Sequence, residues 1–140
     1  MAAFNKFNAF VEDLAEKAHN LGSDVLKVAL TNTAPTAADT TWNTTSHPAP
    51  AAANGYTAGG NTPTISASAQ SSGTYKLTLA DTTFTAAGGN LGPFRYAILY
   101  NSTASAKPIG WWDYGSSITL ADTETFTVDF DGTNGVLTIA

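Results

Sequence analysis

The chain predicts a mainly β fold: a single-domain antiparallel β-sandwich or jelly roll with an N-terminal amphipathic α-helix and a long irregular loop. Three observations lead there. From Val25 onward apolar and polar residues alternate, the period of a half-buried strand. Clusters of Gly, Asn, Asp and Ser break these runs into about seven or eight short strands. The only helical period lies at the N-terminus, and 140 residues give room for one continuous core.

The first element, residues 1–22, is expected to be helical. Phe4, Phe7, Val11, Leu14, Ala18 and Leu21 recur at spacings of three and four, with Phe10 beside them. Asp13 and Lys17 form a favourable four-residue pair, and Gly22 supplies a left-handed stop. Residues 23–31 follow as a strand, with Leu26, Val28 and Leu30 on one face and Lys27, Ala29 and Thr31 on the other.

Residues 32–61 lose all periodicity. Pro35, Pro48, Pro50 and the Gly59-Gly60 pair punctuate a stretch of Ala, Thr and Asn, with Trp42 and Tyr56 as its large anchors. Loops of this length inside compact domains are uncommon and usually functional or disordered. An arm laid across a neighbouring subunit is the expectation, so removing 32–61 should leave a folded body. That body, 62–140, reads as strands around Thr64 to Ala69, Tyr75 to Leu79, Phe84, Phe94 to Asn101, Ile109 to Tyr114, Ser117 to Leu120, Thr125 to Phe130 and Gly135 to Ile139.

Charged residues make up 12% of the chain, against about 25% in typical soluble domains. Such a surface suits a protein packed against neighbours. The net charge is −5, and Lys6, Lys17, Lys27, Lys76, Arg95 and Lys107 are dispersed. A phosphate-gripping patch is therefore missing, and nucleic acid is not an expected partner. There is no cysteine, no signal-like N-terminus and no apolar run long enough to span a bilayer. Synthesis in a cytoplasm and no membrane partner are expected.

Residues capable of chemistry are few, and none forms a recognisable constellation. His19 reads as a charge partner at the helix end and His47 as a loop residue, with no nucleophile motif near either. Asp129 to Gly135 places acidic residues at alternating positions before Gly, but lacks the spacing and terminal Glu of a helical calcium loop. A hairpin turn joining Phe126-Val128-Phe130 to Val136-Leu137-Ile139 explains the same residues. Gly88-Gly89 and Gly92 lack phosphate-loop spacing. No catalytic residue, cofactor or metal site is expected. In Trp111-Trp112-Asp113-Tyr114, strand alternation places one Trp in the core and the other toward a partner, solvent or ligand.

Several segments together resemble a family of small structural proteins encoded by tailed bacteriophages and prophages. They are Phe7 to Asp24, Val28 to Pro35, Gly55 to Gly60, Gly73 to Leu77, Gly92 to Ala97, Ile109 to Gly115 and Phe126 to Asp131. The resemblance implies a non-enzymatic virion component. Within that class the expectation is a capsid decoration or cement protein on the outer capsid surface, a dimer or trimer bound to the major capsid protein. A tail or fibre component with receptor or carbohydrate binding is the alternative. Acidic charge, a sparsely charged surface and the irregular arm agree with the first reading. The expected interface anchors are Phe4, Phe7, Phe10, Val11 and Leu14 of the helix stripe, Trp42 and Tyr56 of the arm, and Trp111 or Trp112.

Overall fold

The computed structural model describes residues 2–140, and among these the chain is mainly β, built from three antiparallel sheets and one short helix. Strands β1 (Asn5–Lys6), β2 (Leu26–Thr31), β6 (Leu91–Asn101) and β7 (Lys107–Leu120) form a four-stranded sheet in the order β1-β7-β6-β2. A second sheet has the order β3-β4-β9, from Ile65–Ser71, Thr74–Leu79 and Leu137–Ile139. Strands β5 (Thr82–Thr85) and β8 (Thr125–Val128) pair as a ribbon.

One face of the large sheet meets the other two sheets. Leu26, Val28 and Leu30 of β2 and Ala97 and Leu99 of β6 join Leu77, Leu79, Phe84 and Val128 in one hydrophobic cluster. Period-two alternation turns Lys27, Ala29 and Thr31 to the opposite face. Ala29 and Thr31 are nevertheless fully buried, because residues 32–61 cover that face.

This segment is the largest departure from expectation, since it is folded onto its own chain. Trp42 stacks on Tyr100 with centroids 4.4 Å apart, and the Thr31 hydroxyl donates to the Pro48 carbonyl at 2.9 Å. Farther on, the segment seals the outer edge of β2. The Val28 N–H donates to the Asn61 carbonyl, the Asn61 N–H donates back, and the Leu30 N–H donates to the Tyr56 hydroxyl at 3.2 Å. A strand edge left bare exposes a row of unpaired backbone groups. Covering it requires Gly60, where an added Cβ would lie 1.9 Å from the Val28 carbonyl oxygen.

The N-terminal helix is also shorter than its periodicity predicts. Met1, placed at its start by the sequence reading, lies outside the described residues. Asn5 and Lys6 are extended and pair with Trp111 and Gly110 of β7. Helix α1 spans only Ala9–Ala15, and Lys17 ends the turn with a left-handed φ of 66°. Its buried face carries Phe10 and Asp13, so the apolar stripe is turned away from Val11, which is 53% exposed. Pairing with an available strand edge outweighed helix propagation, as is common where a short helix has little intrinsic stability. Asp13 consequently pairs with Lys107 of β7, not with Lys17.

Two strand assignments change as well. The segments 109–114 and 117–120 form one strand, β7, which continues through Gly115 at a φ of 98°. The predicted hairpin between the last two strands does not form: β8 pairs with β5, and β9 pairs with β4. The intervening turn does exist. The Asp131 carboxylate accepts from the Thr133 and Asn134 N–H groups and from the Asn134 amide.

Candidate interaction surface

Strand β1 brings two phenylalanines against the paired tryptophans. Asn5 lies opposite Trp111, so Phe4 and Phe7 flank the pairing on opposite faces. The Phe4 ring sits 5.3 Å from Trp112, and the Phe7 ring sits 4.5 Å from Trp111. Trp112 also meets Phe130 edge-on at 5.5 Å. Both tryptophans are therefore half-buried and covered by residues of the same chain. The expected division into one core and one outward Trp does not hold. Phe4 approaches so closely because Gly110 has no side chain; a Cβ there would lie 2.1 Å from the ring.

The nine expected anchors consequently divide. Phe7, Phe10 and Tyr56 are core residues, with Tyr56 only 4% exposed and its ring stacked on Phe84. Burial pushes the Tyr56 hydroxyl pKa up. Trp42 is half-buried against Tyr100, whose own pKa is pushed up to about 12, by burial first and then by the nearby Tyr56. Phe4, Val11, Leu14, Trp111 and Trp112 remain at least partly accessible.

Three large apolar side chains outside that set are exposed: Tyr114 at 55%, Val25 at 46% and Ile139 at 38%. Tyr114 was open to detection, since it shares a strand face with Trp112 two residues earlier. Ile139 was not, because its exposure depends on β9 being the last strand of its sheet.

Two regions gather these groups, Val25 and Trp111 excepted. The first, a hollow of ≈ 150 Å³, is lined by Trp112, Tyr114, Phe126 and Val128 with Arg95 and Asp129 at its polar margin. Arg95 grips Asp113 through two hydrogen bonds of 2.7 and 2.9 Å. That grip, joined by the Gly115 N–H, holds the Asp113 carboxyl below the usual carboxylate range. The second region is a groove between α1 and β9, lined by Phe4, Phe10, Val11, Leu14, Leu137 and Ile139.

Both histidines are buried, where His19 was expected as a charge partner at the helix end and His47 as a solvated or interface loop residue. His19 accepts a hydrogen bond at Nδ1 from the Asn101 amide at 3.1 Å, and the same amide donates to Asp24 at 2.6 Å. His47 Nε2 lies 3.1 Å from Asp39, tying two parts of the 32–61 segment together. Neither histidine is joined by further ligands, and among the described residues no group of three His, Cys, Asp or Glu side chains could hold a metal ion. The geometry offers packing surfaces and ion pairs.

Comparison of the chain with protein-family models, with curated proteins and with solved structures finds no match.

Proposed function

We propose that this chain is a non-enzymatic structural component of a bacteriophage virion, acting as a capsid decoration or cement protein. The reading starts from the sequence resemblance, and the observation that carries it structurally is the concentration of exposed apolar groups beside open strand edges. Val11 and Ile139 face the groove between α1 and β9, where both β1 and β9 end their sheets. Surfaces of this kind mark protein contacts more often than chemistry. The arrangement of sheets around one cluster is read as a β-sandwich, a shape suited to presenting flat faces to a lattice.

In this reading the protein binds the major capsid protein as a dimer or trimer on the outer shell. Contacts that exist only in the assembled lattice stabilise that lattice by mass action. The net charge of −5 suits the outer side better than the DNA-facing side. A tail or fibre role with carbohydrate recognition is a second reading, favoured by Tyr114 standing exposed beside Trp112 and the Arg95–Asp113 pair.

Immunogold labelling of intact particles tests both. Gold distributed over the capsid surface is expected, label confined to the tail would transfer support to the second reading, and unlabelled particles would sink both.

A further inference from the structure

The groove between α1 and β9 has a form that fits one kind of occupant. Strand β9 is the terminal strand of the β3-β4-β9 sheet, and β1 is the terminal strand of the four-stranded sheet. The groove of ≈ 550 Å³ lies between these two ends, with Phe4, Phe10 and Leu14 on one side and Leu137 and Ile139 on the other. A second hollow of ≈ 510 Å³ adjoins it through Leu14 and Ile139, extending it past Lys17, Leu21 and Tyr75. Two of the four exposed large hydrophobic side chains, Val11 and Ile139, lie along this path.

Alternation in β9 places Leu137 and Ile139 on the groove side and Thr138 opposite them. The outer face beyond Thr138 is lined by Ala67, Ala69 and Lys76. An added strand beside β9 would therefore send every second side chain into the groove, against Phe4, Phe10 and Leu14, and the others toward the solvent-exposed outer face of the sheet. The opposite edge of the same sheet, β3, lacks such a channel, since Ser66, Ala67, Ala69, Gln70 and Ser71 along it are exposed.

Charge narrows the occupant further. Lys6 at one end and Lys17 at the other carry the fixed side-chain charges lining the path, in a chain whose net charge is −5. His19 also lines it, but its Nδ1 is occupied as an acceptor by the Asn101 amide. From this geometry we infer that the groove receives an extended segment of a partner protein, apolar at alternate positions and acidic at its ends, as a strand added to β9. Backbone pairing would supply the affinity and the two lysines the choice of partner. The inference does not depend on where the protein resides.

The probe is a synthetic peptide, acetyl-Asp-Val-Thr-Val-Thr-Val-Asp-amide, with a second peptide in which Lys replaces both Asp residues. Titration of the full chain followed by NMR is expected to show saturable binding of the acidic peptide, at least about tenfold tighter than the lysine form. Amide exchange should slow within Leu137–Ile139 on binding. A Lys6→Glu variant should lose most of that preference, and Val11→Asp should weaken the acidic peptide while leaving the unliganded spectrum folded. Equal affinity for both peptides, binding that leaves β9 exchange unchanged, or a homodimer whose interface is this groove would each overturn the inference.

Discussion

His19 is buried to 6% exposure at the junction of α1, β2 and β6, and its protonation state is linked to folding. Burial holds its pKa below the ordinary value of 6.5, the neighbouring Asp13 pulls it up, Lys107 pushes it down and Asp24 pulls it up again. The net direction is downward. As pH falls through 6.5, the unfolded chain takes up this proton before the folded one does, so the stabilisation is complete above that value and shrinks below it. Protonation also removes the lone pair by which Nδ1 accepts from Asn101. Urea unfolding is expected to give a lower free energy at pH 5.5 than at pH 7.5, with a smaller difference in a His19→Gln variant. An equal pH dependence in both proteins would refute this assignment. None of it could be read along the chain, because Asn101 lies 82 residues from His19 and the partner is chosen by the β2–β6 pairing.

The 32–61 segment shows most clearly what an element gains from its surroundings. Composition alone gives it no reason to be ordered, yet it takes up the bare edge and outer face of β2. Tyr56 is central, with its ring in the core against Phe84 and its hydroxyl accepting from the Leu30 N–H. Tyr56→Phe should destabilise the protein by about 1–2 kcal/mol, because the Leu30 N–H loses its acceptor while the ring packing is kept. Chemical denaturation measures this directly, and an unchanged midpoint would mean that water or another group satisfies that N–H. The expectation that a chain lacking 32–61 keeps its fold is likewise revised, since its removal would strip a strand edge and expose Ala29 and Thr31.

Strand positions were more legible than strand partners. Alternation at Tyr75, Leu77 and Leu79 and at Phe94 to Asn101 located β4 and β6 within a few residues, and the turn between β3 and β4 has left-handed angles at Ser72 and at Gly73, the second of which glycine adopts freely. Pairing of β8 with β5 instead of β9 was not legible, since a short connection and suitable turn residues satisfy a hairpin equally well. Likewise the spacing of Phe4 and Phe7 fits both a helix and a strand that flanks Trp111 and Trp112. The long-range choice was made by the free edge of β7.

Across the whole molecule, protection should follow how each strand is enclosed. Strands β2, β6 and β7 meet in the large sheet, where Val28, Leu30, Ile98 and Leu99 are fully buried and the outer edge of β2 is sealed by residues 56–61. Strand β9 has three residues, a partner on one side only and an exposed end at Ile139. Local opening therefore needs few contacts to break at β9, whereas opening β2 or the centre of β6 requires dismantling the core. Native-state hydrogen exchange is expected to rank Val28, Leu30, Ile98 and Leu99 among the slowest amides and residues 137–139 among the fastest within strands. The difference should vanish only as denaturant approaches the global unfolding midpoint. If β9 exchanged as slowly as β6 in the isolated chain, its outer edge would already be occupied, and both the docking groove and the open-edge argument for lattice binding would fail together.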